Sequence, residues 1–301
     1  MASILFLCYF AASTASGFCQ VKYGKASKSI FDVAVYSCIT CVIATLFFYG
    51  MSGFSPQINK QIVIYALAYT VVVICAQYLG LLIIKYMDVL KSGIIRNSVG
   101  LILTFILGGV LFKETVDAVS IFRMLLSFGA VVSLFLHKKW NKGQQKEIMP
   151  KKQRIIGYII CAILILTATL GNIISKMFSS LRDTTDENAY FMLVNIFTFF
   201  ISFLFTLALK KCNLKVCAKE VAGIGIKGYA YIVISTVGSN LASLLQIWIL
   251  ASGAPIVLYT PVTAALEVLV QVIVAKFAAN EKIPPIPVAL SLASALLLFI
   301  K

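Results

Sequence analysis

Residues 137–154 read HKKWNKGQQKEIMPKKQR, and this polar, basic run organises everything around it. Five long apolar stretches precede it and five follow. A hydrocarbon core of about 30 Å needs about 20 apolar helical residues. Candidate spans lie at 2–21, 30–51, 61–84, 89–112 and 118–136 before the run, and at 155–178, 189–209, 229–251, 255–279 and 284–300 after it. Barrel strands would be short and alternating, whereas these stretches are long and continuous, so each is read as a helix.

Composition points to the same class. The 301 residues are 60% hydrophobic and 12% charged, and the mean hydropathy is +0.97. That leaves too little polar material for the shell of a soluble domain. The expected fold is all-α, a polytopic membrane protein of ten transmembrane helices. Short connections leave no room for a soluble catalytic or nucleic-acid-binding module. The first apolar run contains AASTASG at 11–17, which resembles a signal-peptidase site, but no basic segment precedes it and it is read as a span.

The formal net charge of +15 is explained by where the cations fall. Of the 26 Lys and Arg residues, all but Lys60, Lys113, Arg123, Lys176, Arg182 and Lys301 lie in or beside the loops that join odd to even spans. The opposite side carries the acidic patch Asp183, Asp186 and Glu187. The positive-inside rule then puts the linker 138–154 in the cytoplasm and the N-terminus outside it. The expected setting is a bacterial-type plasma membrane, with the bilayer and not nucleic acid as the partner of the basic face.

The linker divides the chain into a first unit, 1–137, and a second, 155–301. Each holds five spans, and an odd number forces the second unit to enter from the opposite side, giving an inverted repeat. Polar spacing recurs between them. Gly17 and Lys22 in span 1 match Gly171 and Lys176 in span 6. Lys113-Glu114 follows span 4, and Asn280-Glu281-Lys282 follows span 9. A shift of 167 residues superimposes the two glutamates and the apolar runs before them.

With these features the chain resembles the drug/metabolite transporter superfamily, in its ten-helix EamA-like branch. The resemblance covers the whole chain. It implies a substrate cavity between the halves, lined mainly by spans 1, 3, 4, 6, 8 and 9. It also implies cytoplasmic termini, opposite to the arrangement the basic loops favour.

A charge at bilayer depth costs about 2.5–3.5 kcal/mol on insertion scales, so such residues face protein or water. Glu267 lies near the middle of span 9, and Arg96 about two turns into span 4. Span 4 repeats Ser92, Arg96, Gly100, Thr104 and Gly108 at every fourth residue, one small or polar face. Span 9 repeats Tyr259, Thr263, Glu267 and Gln271 at the same step, and the 167-residue shift superimposes the two stripes. Arg96 and Glu267 fall at similar depths. They are expected to form an ion pair or a paired substrate site; a purely structural salt bridge, or an Arg96 that reaches the interface, are the alternatives.

The expected polar centre is Glu267, Gln271 and Thr263 facing Arg96, Asn97, Gly100 and Thr104. Gln77, Asn172 and Asn240 are further candidates for the cavity wall. Each can equally serve as a bond between helices. Lys22 and Lys176 end their helices as interface charges or gates, and Pro261 is a candidate kink.

The eight cysteines are scattered and His137 stands alone among lysines, so no metal site is expected. No nucleophile–base pair, nucleotide loop or haem signature occurs, so neither an enzyme nor a cofactor is expected. The reading is a secondary transporter moving a small organic metabolite, in uptake or efflux, with a proton as candidate coupling ion. A channel-type facilitator and a non-transporting scaffold or sensor are the rivals.

Overall fold

The computed structural model describes residues 2–27, 29–112, 118–140, 150–181, 186–209, 221–251 and 256–296. They form ten helices and, among the described residues, no strand. In chain order these are α1 (Ala2–Ala26), α2 (Ile30–Met51), α3 (Lys60–Tyr86), α4 (Val89–Phe112), α5 (Ala118–Trp140), α6 (Lys151–Ser179), α7 (Glu187–Leu209), α8 (Ile226–Ala251), α9 (Ile256–Phe277) and α10 (Pro285–Leu296). Six of them, α1, α2, α3, α6, α7 and α8, are long and apolar enough over their described residues to cross a membrane. The protein is therefore an all-helical, integral, multi-pass membrane protein.

Local chemistry sets the helix ends. Ser29 and Asp32 form a capping box at α2: the Asp32 amide donates to Ser29 Oγ at 3.3 Å, and the Ser29 amide to Asp32 Oδ2 at 2.9 Å. Asn59 Oδ1 accepts from the Ile62 amide at 2.9 Å and starts α3. Asp186 Oδ1 accepts from the amides of Asn188 and Ala189 at the start of α7. Asn280 adopts φ 56° just past the end of α9, and Pro285 opens α10. The linker is shorter than its sequence suggests, because α5 runs on to Trp140 and α6 begins at Lys151. Positions 141–149 lie outside the described residues, as do Lys113, Glu114, Arg182 and Asp183.

Consecutive helices alternate in direction, and contacts at the two ends show it. At the basic end, Lys25 Nζ donates to the Ala279 carbonyl at 2.8 Å, joining the ends of α1 and α9. There too Glu281 accepts from the first amides of α4, those of Val89 at 2.8 Å and Leu90 at 3.0 Å. A carboxylate on a helix N-terminus satisfies free amides and meets the positive end of the helix dipole. Glu281, matched in sequence to Glu114, is thus a clasp on α4. At the opposite end, the Gln57 amide donates to Asp186 Oδ2 at 3.1 Å and Trp248 Nε1 to Glu187 Oε2 at 2.5 Å.

The helices pair across the linker. The most extensive contacts join α1 to α8, α2 to α7, α3 to α6, α4 to α9 and α5 to α10. Every such pair takes one member from each side of the linker, so the two units share one core. Advancing each helix by five places, with α6 returning to α1, exchanges the α1–α8 and α3–α6 pairs and leaves the other three unchanged. Gly17 and Gly171 do not share surroundings, however. Gly17 faces Val270 and Val274 of α9, and Gly171 faces Val72 and Tyr69 of α3.

Without a hydrophobic force between helices in lipid, close approach depends on small residues. Gly238 of α8 is the extreme case: a Cβ there would stand 2.7 Å from the carbonyl oxygen of Ala12 in α1, which cannot turn aside. Gly238→Ala is expected to cost about 1–3 kcal/mol by forcing α1 and α8 apart. Gly50→Ala, with nothing within 4 Å of the added carbon, is expected to be neutral or slightly stabilising. Thermal unfolding in detergent measures both.

Candidate functional site

The site is built where α1, α4 and α9 meet. Helix α1 is drawn against α8 by Ala12 and Ser16 on Gly238, and against α9 by Gly17 on Val270 and Val274. This wedge carries Tyr9, only 8% exposed, up to the middle of α9. There the Tyr9 hydroxyl donates to Glu267 Oε1 at 2.8 Å. Tyr9 packs with Ala12, Ala242, Leu245 and Leu266, so the bond sits against an apolar wall. A hydrogen bond to a charged group in such surroundings is among the stronger kinds.

Helices α4 and α9 cross at Gly93 and Gln271, where a Cβ on Gly93 would come 2.5 Å from Gln271 Cγ. From that crossing, both helices run toward the opposite end, α4 with rising numbers and α9 with falling ones. Asn97 and Glu267 each lie four residues on, a rise of about 6 Å, and so share a level. Gly100 lies seven residues beyond Gly93, on nearly the same helix face. Among the described residues no atom lies within 4 Å of where a Cβ on Gly100 would stand. From the Gly93–Gln271 contact the residues of the two stripes follow in levels along the crossing, Asn97 with Glu267 and then Gly100 with Thr263.

Asn97 Nδ2 is buried and has no hydrogen-bond partner among the described residues. Thr263 is buried, at 7% exposure. The side chains of Thr104, Tyr259 and Pro261 lie outside the described part of the structure. Arg96 stands about 40° round α4 from Ser92 and about 60° from Gly93. Ser92 marks the α6 side, because its carbonyl lies 3.9 Å from Cys161 Sγ. Arg96 is within electrostatic range of that thiol. The expected ion pair is not formed in this structure: Glu267 is bonded by Tyr9, and among the described residues no contact joins it to Arg96. Counted from the Gly93–Gln271 crossing, the two lie at similar levels.

The other expected wall residues have separate fates. Asn172 Oδ1 accepts from Gln246 Nε2 at 3.1 Å, bridging α6 and α8. Asn240 Nδ2 donates to the Thr236 carbonyl within its own helix. Gln77 Oε1 accepts from Ser37 Oγ at 2.5 Å, and that hydroxyl also meets Ser202 Oγ at 2.8 Å. Gln77 therefore belongs to the seam of α2, α3 and α7, apart from Glu267. Among the described residues no group of His, Cys, Asp and Glu is placed to hold a metal ion.

Tyr9 is the member that sequence reasoning missed. Its signal was available: a tyrosine deep in span 1 carries a hydroxyl that needs a partner when buried.

No protein-family model matches the chain, and no curated protein does. A solved crystal structure whose description names no function matches with a TM-score of 0.67 at 12% identity, covering 99% of this chain and 96% of the other. The likeness is one of fold. It extends over both units and the linker between them, so the whole helical arrangement recurs in a protein of very different sequence.

Tyr9→Phe keeps the ring and removes the donor. It is expected to lower stability by about 1 kcal/mol, between the values for ordinary membrane hydrogen bonds and charged ones. In a Glu267→Leu background the same change is expected to cost close to nothing. Equal costs in the two backgrounds, measured by unfolding in detergent, would show that the bond carries no coupling.

Proposed function

We propose that the protein is a secondary transporter that moves a small organic metabolite by alternating access between two inverted five-helix repeats. The observation that carries this reading is a carboxylate halfway along an apolar helix, Glu267, held by Tyr9 and level with Asn97 beside the α4–α9 contact at Gly93 and Gln271; we read the space between these helices as a substrate cleft. Repeat exchange is supported by the helix pairing, which maps onto itself when the units are swapped. Inversion is supported by helix direction: α1 ends at the basic end, where α6 begins. The EamA-like resemblance agrees with both.

In this reading Glu267, Gln271 and Thr263 face Asn97, Gly100, Thr104 and Arg96 across the cleft. The unpaired Asn97 amide is a donor free for a substrate oxygen. Arg96 supplies a cation for a carboxylate or phosphate, and Glu267 an anion for an amine or a site for a coupling proton. Together they suit a zwitterion. Lys25 and Glu281 clasp the basic end and would have to release for access from that side. The membrane is of the bacterial plasma type, with the basic end and linker in the cytoplasm.

The rival readings make different demands. A channel needs a continuous polar path, and Gly93 against Gln271 interrupts this one. A scaffold would use the polar stripes only to bond helices, as Gln77 and Asn240 do.

Proteoliposomes with an imposed pH gradient separate the three. A transporter is expected to give saturable, gradient-dependent flux of a ligand found by a thermal-stabilisation screen. Glu267→Gln, similar in shape but unable to ionise, is expected to abolish the gradient dependence while the protein remains folded. Flux that does not saturate would mean a channel, and no flux for any stabilising ligand would mean a scaffold.

A further inference from the structure

The outer face of α1 and the first turns of α8 form a groove that the Glu267 site does not use. Ala11, Thr14, Ala15 and Phe18 line it from α1, and Tyr231 and Ile234 from α8, around a volume of about 560 Å³. Ala11, Ala15 and Ile234 are exposed. Residues 12, 16 and 17 face the protein on the other side of α1, so the groove opens outward, where acyl chains lie. Its wall is almost wholly apolar.

Both helices carry a lysine at the basic end of this groove. Lys22 follows Phe18 by four residues, and Lys227 precedes Tyr231 by four and Ile234 by seven, so each lysine shares a face with the lining residues of its helix. Lys22 Nζ stands 5.6 Å from the centre of the Phe18 ring. Lys22 lies about 6 Å from the end of α1 at Ala26, and Lys227 is the second residue of α8, which places both near headgroup level. A furrow for a hydrocarbon chain thus ends at two cations.

We propose that this groove binds an anionic phospholipid of the leaflet at the basic end, with an acyl chain along Ala11, Ala15 and Ile234 and the phosphate at Lys22 and Lys227. A zwitterionic lipid such as phosphatidylcholine brings its own cation beside the phosphate, which offsets the attraction to the two ammonium groups, whereas an anionic lipid brings a net negative charge. A second copy of this chain fits less well, because two-fold packing of the same face in one membrane sets Lys22 and Lys227 against their own equivalents.

The test uses the full-length protein in nanodiscs made from phosphatidylglycerol and phosphatidylcholine, with retained lipids counted by native mass spectrometry. The wild type is expected to retain phosphatidylglycerol in preference. A lysine beside an anionic surface is worth about a fivefold change in affinity, so K22Q/K227Q is expected to lower the preference about 25-fold. K151Q/K152Q removes the same charge from the same end, away from the groove, and is expected to leave the preference intact. Ala15→Trp, which fills the groove, is expected to reduce retention of both lipids. Circular dichroism melting confirms that each variant is folded. No preference in the wild type, or an equal loss in K151Q/K152Q, would overturn the proposal by reducing it to diffuse attraction. An Ala15→Trp variant that breaks a dimer and leaves lipid retention unchanged would overturn it in favour of a subunit interface.

Discussion

A carboxylate halfway along an apolar helix must be given a partner, and the Tyr9–Glu267 hydrogen bond is how this chain does so. Leaving such a group to hydrocarbon costs several kcal/mol, comparable to a large part of a domain's net stability. The donor comes from α1, at the far end of the sequence from α9. Bringing it within 2.8 Å requires α1 to sit between α8 and α9 at close range. That is why Ala12, Ser16 and Gly17 stand on the inward faces of α1, and why Gly238 opposes a backbone carbonyl. Larger side chains there would keep α1 out and leave Glu267 without its donor.

The rest of the bundle is held by two kinds of contact that lipid cannot compete for. Between α2, α3, α7 and α8 runs a set of buried hydroxyl and amide bonds: Ser37 to Gln77 and Ser202, Tyr36 to Ser235, and Thr236 to Thr40. Toward the opposite end an aromatic cluster takes over, with Phe178 stacked on Tyr190 at 4.0 Å and Phe48 on Phe191 at 5.0 Å. Both seams cross from one repeat-sized unit to the other. They make the α2–α7 side of the molecule densely bonded.

The all-helical fold, the helix order and their limits were legible because membrane spans are long and nearly uniform in hydropathy. Their number of residues past the hydrocarbon was less so: α6 starts at Lys151 and α8 at Ile226, since basic residues continue a helix into the headgroup region without changing its period. Helical spacing fixes which residues share a face, and Gln271 of the span-9 stripe does meet α4, at Gly93. The partner of Glu267 was not legible. Depth made Arg96 a candidate, but depth says nothing about rotation about the helix axis, and the donor came from α1 instead. The bonds of Gln77 and Asn240 were not legible for a related reason: an amide inside a span has the same appearance whether it faces a cavity, another helix or its own backbone.

The two units are alike in packing and unlike in chemistry, and that difference bears on mechanism. Under the 167-residue shift that superimposes spans 4 and 9, Gly100 takes the place of Glu267, and Arg96 that of Thr263. The acid stands on one unit and the base on the other, and Glu267 takes its donor from Tyr9 and not from Arg96. The Tyr9 bond is made by a helix that belongs to the other unit than α9, so the one carboxylate near the middle of α9 takes its donor from across the linker.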